Sequence, residues 1–288
     1  MKELILNADD FGYTRGINLA IRRAHREGVL TSATLMANGL AFDDAVENAL
    51  ACPELGVGCH FVLIGGKSVA DPADIPSLAK PDGRLPQSLP AFVAGVSAGR
   101  IKAEDIAREL RAQIAKIRKA GIEPTHIDSH KHTHAHPRVF GVIARTAREL
   151  EIRNVRNPFE RLRDSWTFMR QNQVFSMPML AAAAAARVSA GGFSRTLRKY
   201  GLRAPDHFLG LAITGKVGPA ALQDMVRSLP DGTTEVMLHP GICDADLEAT
   251  GTRLKADREK ELEALLNPEV RRIIEHEKIR RITFRELR

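Results

Sequence analysis

Short apolar runs alternate with amphipathic stretches along this chain almost from its first residue. Leu4-Ile5-Leu6-Asn7-Ala8 is an apolar run that stops at Asp9-Asp10-Phe11-Gly12, a pattern that predicts a buried strand running into a loop. Residues 17–27 then carry helical spacing, residues 32–36 a second strand and residues 41–51 a second helix. A third strand is predicted over 56–62, where Val57, Cys59 and Phe61 alternate with Gly58 and His60. Ile106, Leu110, Ile114 and Ile117 follow the 3.6-residue period in a helix over 103–120, which Gly121 and Pro124 close ahead of a strand at 125–129. Further strands are expected near 152–155, 209–213, 234–238 and 282–284, with helices over 139–150, 220–228 and, as one long element, 259–277.

Repeated strand-helix units favour a parallel sheet with helices outside, and about seven cycles in 288 residues suit a deformed or incomplete (β/α) barrel of the TIM type. Two segments depart from the rhythm. Residues 65–89, rich in Pro, Gly, Asp and Ser, read as a long loop able to cover a site at the strand ends. Residues 157–203 contain Met177-Pro178-Met179-Leu180, six alanines at 181–186 and the Gly191-Gly192 pair, and are expected to form a helical insertion within one domain spanning 1–288. The apolar part, 174–186, is shorter than the roughly 20 residues that cross a bilayer. An interfacial helix, a substrate lid and a helix packed on the barrel all fit it.

Charge adds one consideration. The net charge is +7, and five basic residues fall between 187 and 203 without an acidic one, a surface that attracts anions such as phospholipid headgroups. Nucleic acid is not an expected partner, because no binding motif or aromatic stacking platform accompanies the charge. Cys52, Cys59 and Cys243 show no CxxC spacing, which argues against disulfides or a thiolate zinc site. The first apolar run is too short for a signal peptide, so a cytoplasmic protein is expected, with contact to the inner membrane surface allowed by the basic insertion.

In an α/β barrel the chemistry lies where strands end. The polar residues at such places are Asp9-Asp10, His60, the segment His126-Ile127-Asp128-Ser129-His130-Lys131-His132-Thr133-His134, and His239. Six of the ten histidines fall there. A single histidine is usually a packed or hydrogen-bonded residue, and His25, His136 and His276 are read so; a cluster of imidazoles with carboxylates is better explained by a divalent metal. Three protein ligands would leave a position open for water. In an extended segment His126, Asp128 and His130 point to one side, and His132 and His134 continue it if the chain stays extended. Adjacent aspartates offer a division of labour in which one binds the ion and its neighbour acts as general base. The same two-His, one-carboxylate set suits Fe(II) in a non-haem oxygenase. A non-catalytic membrane-binding module would account for the charge but not for the histidines.

Taken together, Asn7-Ala8-Asp9-Asp10-Phe11-Gly12, Gly58-Cys59-His60-Phe61, Thr125-His126-Ile127-Asp128-Ser129-His130 and His239-Pro240-Gly241 resemble the YdjC-like carbohydrate deacetylases over nearly the whole chain. Gly39, Pro205-Asp206-His207-Phe208 and Arg258-Glu259-Lys260-Glu261-Leu262 also look like that family. The basic, Ala-rich insertion and the Pro-Asp-His-Phe-Leu-Gly segment are most similar to its hopanoid-biosynthesis-associated (HpnK-like) members. The resemblance implies a deformed barrel and a metal-dependent de-N-acetylase, with one divalent ion, Zn2+ or Mg2+, on Asp10, His60 and His130 and with Asp9 as base. It also implies an N-acetylglucosaminyl hopanoid as substrate, the family's other branch acting on chitooligosaccharides. His239, ending a late strand, is expected to protonate the departing amine, with His207 as second candidate. His126, Asp128, His132, His134 and His207 are expected to contact substrate.

Overall fold

The computed structural model describes residues 1–171, 184, 187 and 189–288. The Met177-Pro178-Met179-Leu180 stretch and, Ala184 apart, the alanine run lie outside these residues, so the interfacial reading of that stretch is not addressed by the fold.

The first half of the chain runs β1 (Lys2–Phe11), α1 (Arg15–Arg26), β2 (Ser32–Leu35), α2 (Phe42–Leu50), β3 (Gly56–Phe61), α3 (Leu89–Ser97), α4 (Ala103–Lys119), β4 (Ile127–Ser129) and α5 (Pro137–Glu149). Then follow α6 (Leu162–Gln171), α7 (Ala190–Tyr200), β5 (His207–Leu209), α8 (Pro219–Arg227), β6 (Gly232–Leu238), α9 (Ala245–Glu248), α10 (Asp257–Leu266), α11 (Pro268–His276) and β7 (Arg280–Arg281). The strands pair in parallel in the order β4-β3-β2-β1-β6-β5, and β7 joins β1 at Glu3 and Leu4, before β2 begins to pair at Asn7. Beyond β4, single-residue parallel bridges link Ile127 to Val155 and Asn154 to Arg203, so the curl continues without a full strand. The architecture is the deformed (β/α) barrel that the alternation predicts.

Strand alternation sorts the side chains into two layers. Leu4, Leu6, Ala8, Ala33, Leu35, Val57, Cys59, Phe61, Val236 and Leu238 enter the main core beneath the helices. The intervening positions face the concave side. Its floor is a small apolar cluster of Ile5, Ile282, Phe284 and Leu287; above it stand Asn7, Asp9, Thr34, His60, Asp128 and Glu235, all buried. A sheet buried on both faces is filled by hydrocarbon on one side and by paired polar groups on the other.

Several elements differ from their sequence expectation. The run at 209–213 contributes only the end of β5, because Gly210 turns the chain with φ 108. Pro268 cannot donate a backbone hydrogen bond, and Asn267 caps the helix it opens, so the long helix becomes α10 and α11. The last strand is two residues long, and Phe284 lies in a 3-10 turn. Strand β1 continues through Asp9 and Asp10 to Phe11 instead of ending before them. The 65–89 loop is pinned to α4: Glu109 accepts the amides of Val69 and Ala70, and Asp105 accepts the amide and hydroxyl of Ser77. Helix α7 packs on α5 through Phe193 against Phe140, with ring centroids 4.1 Å apart. Among the described residues no helix is long and apolar enough to cross a membrane.

Candidate metal centre and its carboxylate support

Two neighbours on a regular strand point to opposite faces. Asp9 and Asp10 escape that rule because the β1–β2 register shifts between Ala8 and Phe11, and Asp10 takes a left-handed conformation with φ 65. The irregularity brings both carboxylates to the same end of the sheet, where His60, His130 and His239 also lie. Asp10 Oδ1 stands 3.6 Å from His60 Nε2 and 3.3 Å from His130 Nδ1. Two donors at about 2.1 Å from one tetrahedral ion are about 3.4 Å apart, so this spacing fits a shared cation. Asp10 Oδ1 is also buried and, among the described residues, accepts no hydrogen bond, while its Oδ2 takes a 2.6 Å bond from Arg258 Nη2.

His60 is oriented from behind. Asp128 Oδ1 lies 2.8 Å from its Nδ1, which directs Nε2 at Asp10, the support that metal-bound histidines usually have. Burial disfavours the imidazolium, but Asp128 and then Asp9 and Asp10 outweigh it and lift the pKa to about 9. Without an ion, a proton on Nε2 therefore stands where a cation would bind. Asp9, His60 and Asp128 form a second set of close donors, yet Arg156 already occupies both of those carboxylates.

Arg156 is the electrostatic keystone. It follows Val155 at the end of the bridged segment, is fully buried, hydrogen-bonds Asp9 through both terminal nitrogens at 2.8 and 2.6 Å and Glu235 at 2.8 Å, and forms an ion pair with Asp128 at 2.7 Å. Burial alone would raise the Asp9 carboxyl, but the guanidinium overrides it and holds the pKa well below the usual carboxylate range. Glu235 keeps its proton more readily: burial, assisted by Asp128 and Asp9, pushes it up to about 8 against the pull of Arg156. His239 Nε2 is 3.9 Å from Asp9 Oδ2, and burial lowers its pKa to about 4, so it stands as neutral imidazole. Its backbone amide donates to Glu261 on α10.

The other sequence-derived candidates are distributed differently. Asp128 is fully buried between His60 and Arg156 and does not face the opening. His126 lies deeper still, stacked on Phe284 with ring centroids 3.6 Å apart and covering Gly58, which has no Cβ to obstruct the ring. His207 sits at the start of β5, paired with Thr234 and thus level with Leu4, at the opposite end of the sheet from Asp9; its Nε2 donates to the Asp231 carbonyl. It is therefore not placed to protonate a leaving amine, and neither it nor His126 is brought to the site. The expected extension of the histidine segment also fails: residues 130–135 coil into a 3-10 turn, with Lys131 and His132 left-handed. His132 consequently packs beside Phe208 and His134, while His134 Nδ1 pairs with Ser129 Oγ at 2.5 Å.

Sequence reasoning missed Arg156, Arg258, Glu235 and Glu261 as parts of the centre. Arg156 directly follows the strand predicted at 152–155, the same strand-end signal that singled out Asp9 and His239. The helix α10 pair carried no such signal beyond its place in a family-like segment.

Residues 3–276 match the family model described as YdjC-like protein. A carbohydrate deacetylase of Brevibacillus brevis is 37% identical over 99% of both chains. One from Geobacillus stearothermophilus is 36% identical over 98% of this chain and 96% of its own. A chitooligosaccharide deacetylase of Salmonella typhimurium is 39% identical over 60% of this chain and 67% of its own. Among solved structures, a protein of Enterococcus faecalis proposed to cleave cellobiose phosphate superposes with a TM-score of 0.76 at 26% identity, covering 98% of this chain and 97% of its own.

Proposed function

The chain belongs to the YdjC-like family, and from that premise we propose that this deacetylase removes the N-acetyl group from an N-acetylglucosaminyl headgroup of a hopanoid lipid. The observation that carries the deacetylase chemistry is the unsatisfied Asp10 Oδ1 between two imidazole nitrogens, with the Asp9 carboxylate and the His239 ring alongside. Asp10, His60 and His130 would hold a divalent ion, Zn2+ or Mg2+, which when bound polarises a carbonyl and increases the acidity of water.

Asp9 is ionised and fixed by the Arg156 fork, so it is available to take a proton from the attacking water. His239 begins as a neutral imidazole, and its Nε2 faces Asp9 Oδ2, from which it receives that proton for delivery to the leaving nitrogen. The water oxygen joins the acetyl carbon, the C–N bond breaks, and acetate and free amine leave. His132, half-buried on the coiled segment, is left to contact the sugar, whereas His134 is buried behind it and paired with Ser129.

The lipid headgroup is favoured by two surface features. Five basic residues lie between 187 and 203, and α6 exposes Leu162 and Trp166, a combination suited to an anionic, partly apolar interface. The names of the Salmonella and Brevibacillus relatives favour a second reading, a soluble chitooligosaccharide. Acetate release from an N-acetylglucosaminyl hopanoid and from chitobiose, each with a His130→Ala control, separates them. Release from the lipid alone supports the proposal; release from chitobiose alone moves the substrate to soluble sugars; release from neither, in metal-replete protein, refutes the chemistry.

A further inference from the structure

Asp10 is held by a group that no part of the reaction scheme above uses. Arg258, on α10, is 1% exposed and donates Nη2 to Asp10 Oδ2 at 2.6 Å and Nε to the Leu254 carbonyl at 3.1 Å. Among the described residues its buried Nη1 has no hydrogen-bond partner. A guanidinium that served only to hold α10 in place would be expected to spend all its donors on structure. Here three locally unfavourable features meet among the described residues: a left-handed aspartate, its buried Oδ1 with two imidazole nitrogens at 3.3 and 3.6 Å but no hydrogen bond, and an arginine nitrogen on the same guanidinium without a hydrogen bond. Such departures gather at functional sites, where the surrounding fold sustains them.

The remainder of α10 fixes the arginine. One turn on, Glu261 is also buried and accepts the backbone amides of Gly215, Val217 and His239. The Gly241 amide donates to the Arg258 carbonyl, and the Arg258 stem fills the space that a side chain at Gly241 would take. Helix α10 thus grips the His239 strand end on one side and Asp10 on the other.

We propose that Arg258 is a positioning residue that confines Asp10 to a single donor oxygen, trading affinity for the metal against a coordination position left open for substrate. The inference rests on the metal reading of Asp10, His60 and His130. The guanidinium takes one lone pair of the second aspartate oxygen and its charge repels a divalent ion at short range, so ligation through that oxygen is disfavoured. Removing the guanidinium frees Oδ2 and removes the repulsion.

This separates the proposal from a merely supporting role, because losing an ordinary supporting partner weakens metal binding, typically 10–100-fold. We expect the opposite sign. The test is Co2+ affinity of stripped full-length protein, measured by competition with a chromophoric chelator, for the wild type, Arg258→Met, Arg258→Lys and His130→Ala, with acetate release measured in parallel. Arg258→Met is expected to bind Co2+ about tenfold or more tightly than wild type, while kcat falls at least about 100-fold. Arg258→Lys keeps the charge without the fork and is expected to stay near wild-type affinity with reduced kcat; it also serves if the methionine variant does not fold. Co2+ binding that depends on His130 but is weakened or unchanged in Arg258→Met, or tightened tenfold in Arg258→Lys, would overturn this inference alone. Wild-type protein without His130-dependent Co2+ binding would overturn the metal reading and the inference with it.

Discussion

Replacing Arg156 by methionine gives the sharpest test of how the site is held. The side chain is fully buried and is the partner shared by Asp9, Asp128 and Glu235, at 2.6 to 2.8 Å. Removing it strands two carboxylates and deprives Glu235 of its donor. Breaking a buried ion pair from one side costs about 3–5 kcal/mol, and protonation of the stranded groups keeps the loss near that range instead of a multiple of it. Unfolding entropy of about 2.1 cal/mol/K per residue gives roughly 0.6 kcal/mol/K for 288 residues. Arg156→Met should therefore lower Tm by about 5–8 °C. Glu235→Gln is the internal control: with its pKa near 8, Glu235 is largely protonated at pH 7, and the neutral substitution should cost less than about 1 kcal/mol, under 2 °C. Differential scanning calorimetry of both variants at pH 7 decides the matter. A Tm loss under 2 °C for Arg156→Met, or a Glu235→Gln loss as large, would refute the view that one guanidinium neutralises the interior.

Three further outcomes follow from the same geometry. Burial opposes the His60 imidazolium but its carboxylate neighbours raise the pKa from 6.5 to about 9, so its stabilisation is complete below pH 6.5 and lost as pH rises through 9; Glu235 and Glu261, raised by burial to about 8 and about 7, act in the same direction. Metal-stripped protein should thus lose stability between pH 6.5 and 9, by about 3 kcal/mol or 5 °C from His60 alone, and a flat Tm across that window would contradict the assignment. Asp9→Asn should reduce acetate release by at least about 100-fold while leaving metal stoichiometry intact; lost metal with retained turnover would exchange the roles of the two aspartates. Gly58→Ala places a Cβ on the His126 ring, itself pinned by Phe284, and should cost about 1–3 kcal/mol, with thermal unfolding as the readout and an unchanged Tm as the contrary result.

Local pattern was enough for most of the frame. The alternation of Val57, Cys59 and Phe61 with Gly58 and His60 assigns one set to the helix-covered core and sends the other to the concave face, because a strand has a period of two wherever it occurs. The 3.6-residue spacing of Ile106, Leu110, Ile114 and Ile117 fixes α4 in the same way, all four being buried. Strand-end polarity likewise gathered Asp9, Asp10, His60, His130 and His239 from four places in the chain, and the fold brings them to one end of the sheet. What the pattern could not contain were events that break the periods. The positive φ at Asp10 turns a residue that should face away into the site, and two left-handed residues after His130 coil a segment that looked extended. Only long-range packing decides such angles, since no local preference favours them in aspartate, lysine or histidine strongly enough to be read. Depth was equally invisible. His126 and His207 resemble their neighbours as letters, but register places one on the barrel floor and the other at the far end. The two buried arginines belong to this second class: Arg156 and Arg258 meet Asp9 and Asp10 across 147 and 248 residues, and a charge pair at that separation exists only once the sheet has curled and α10 has docked.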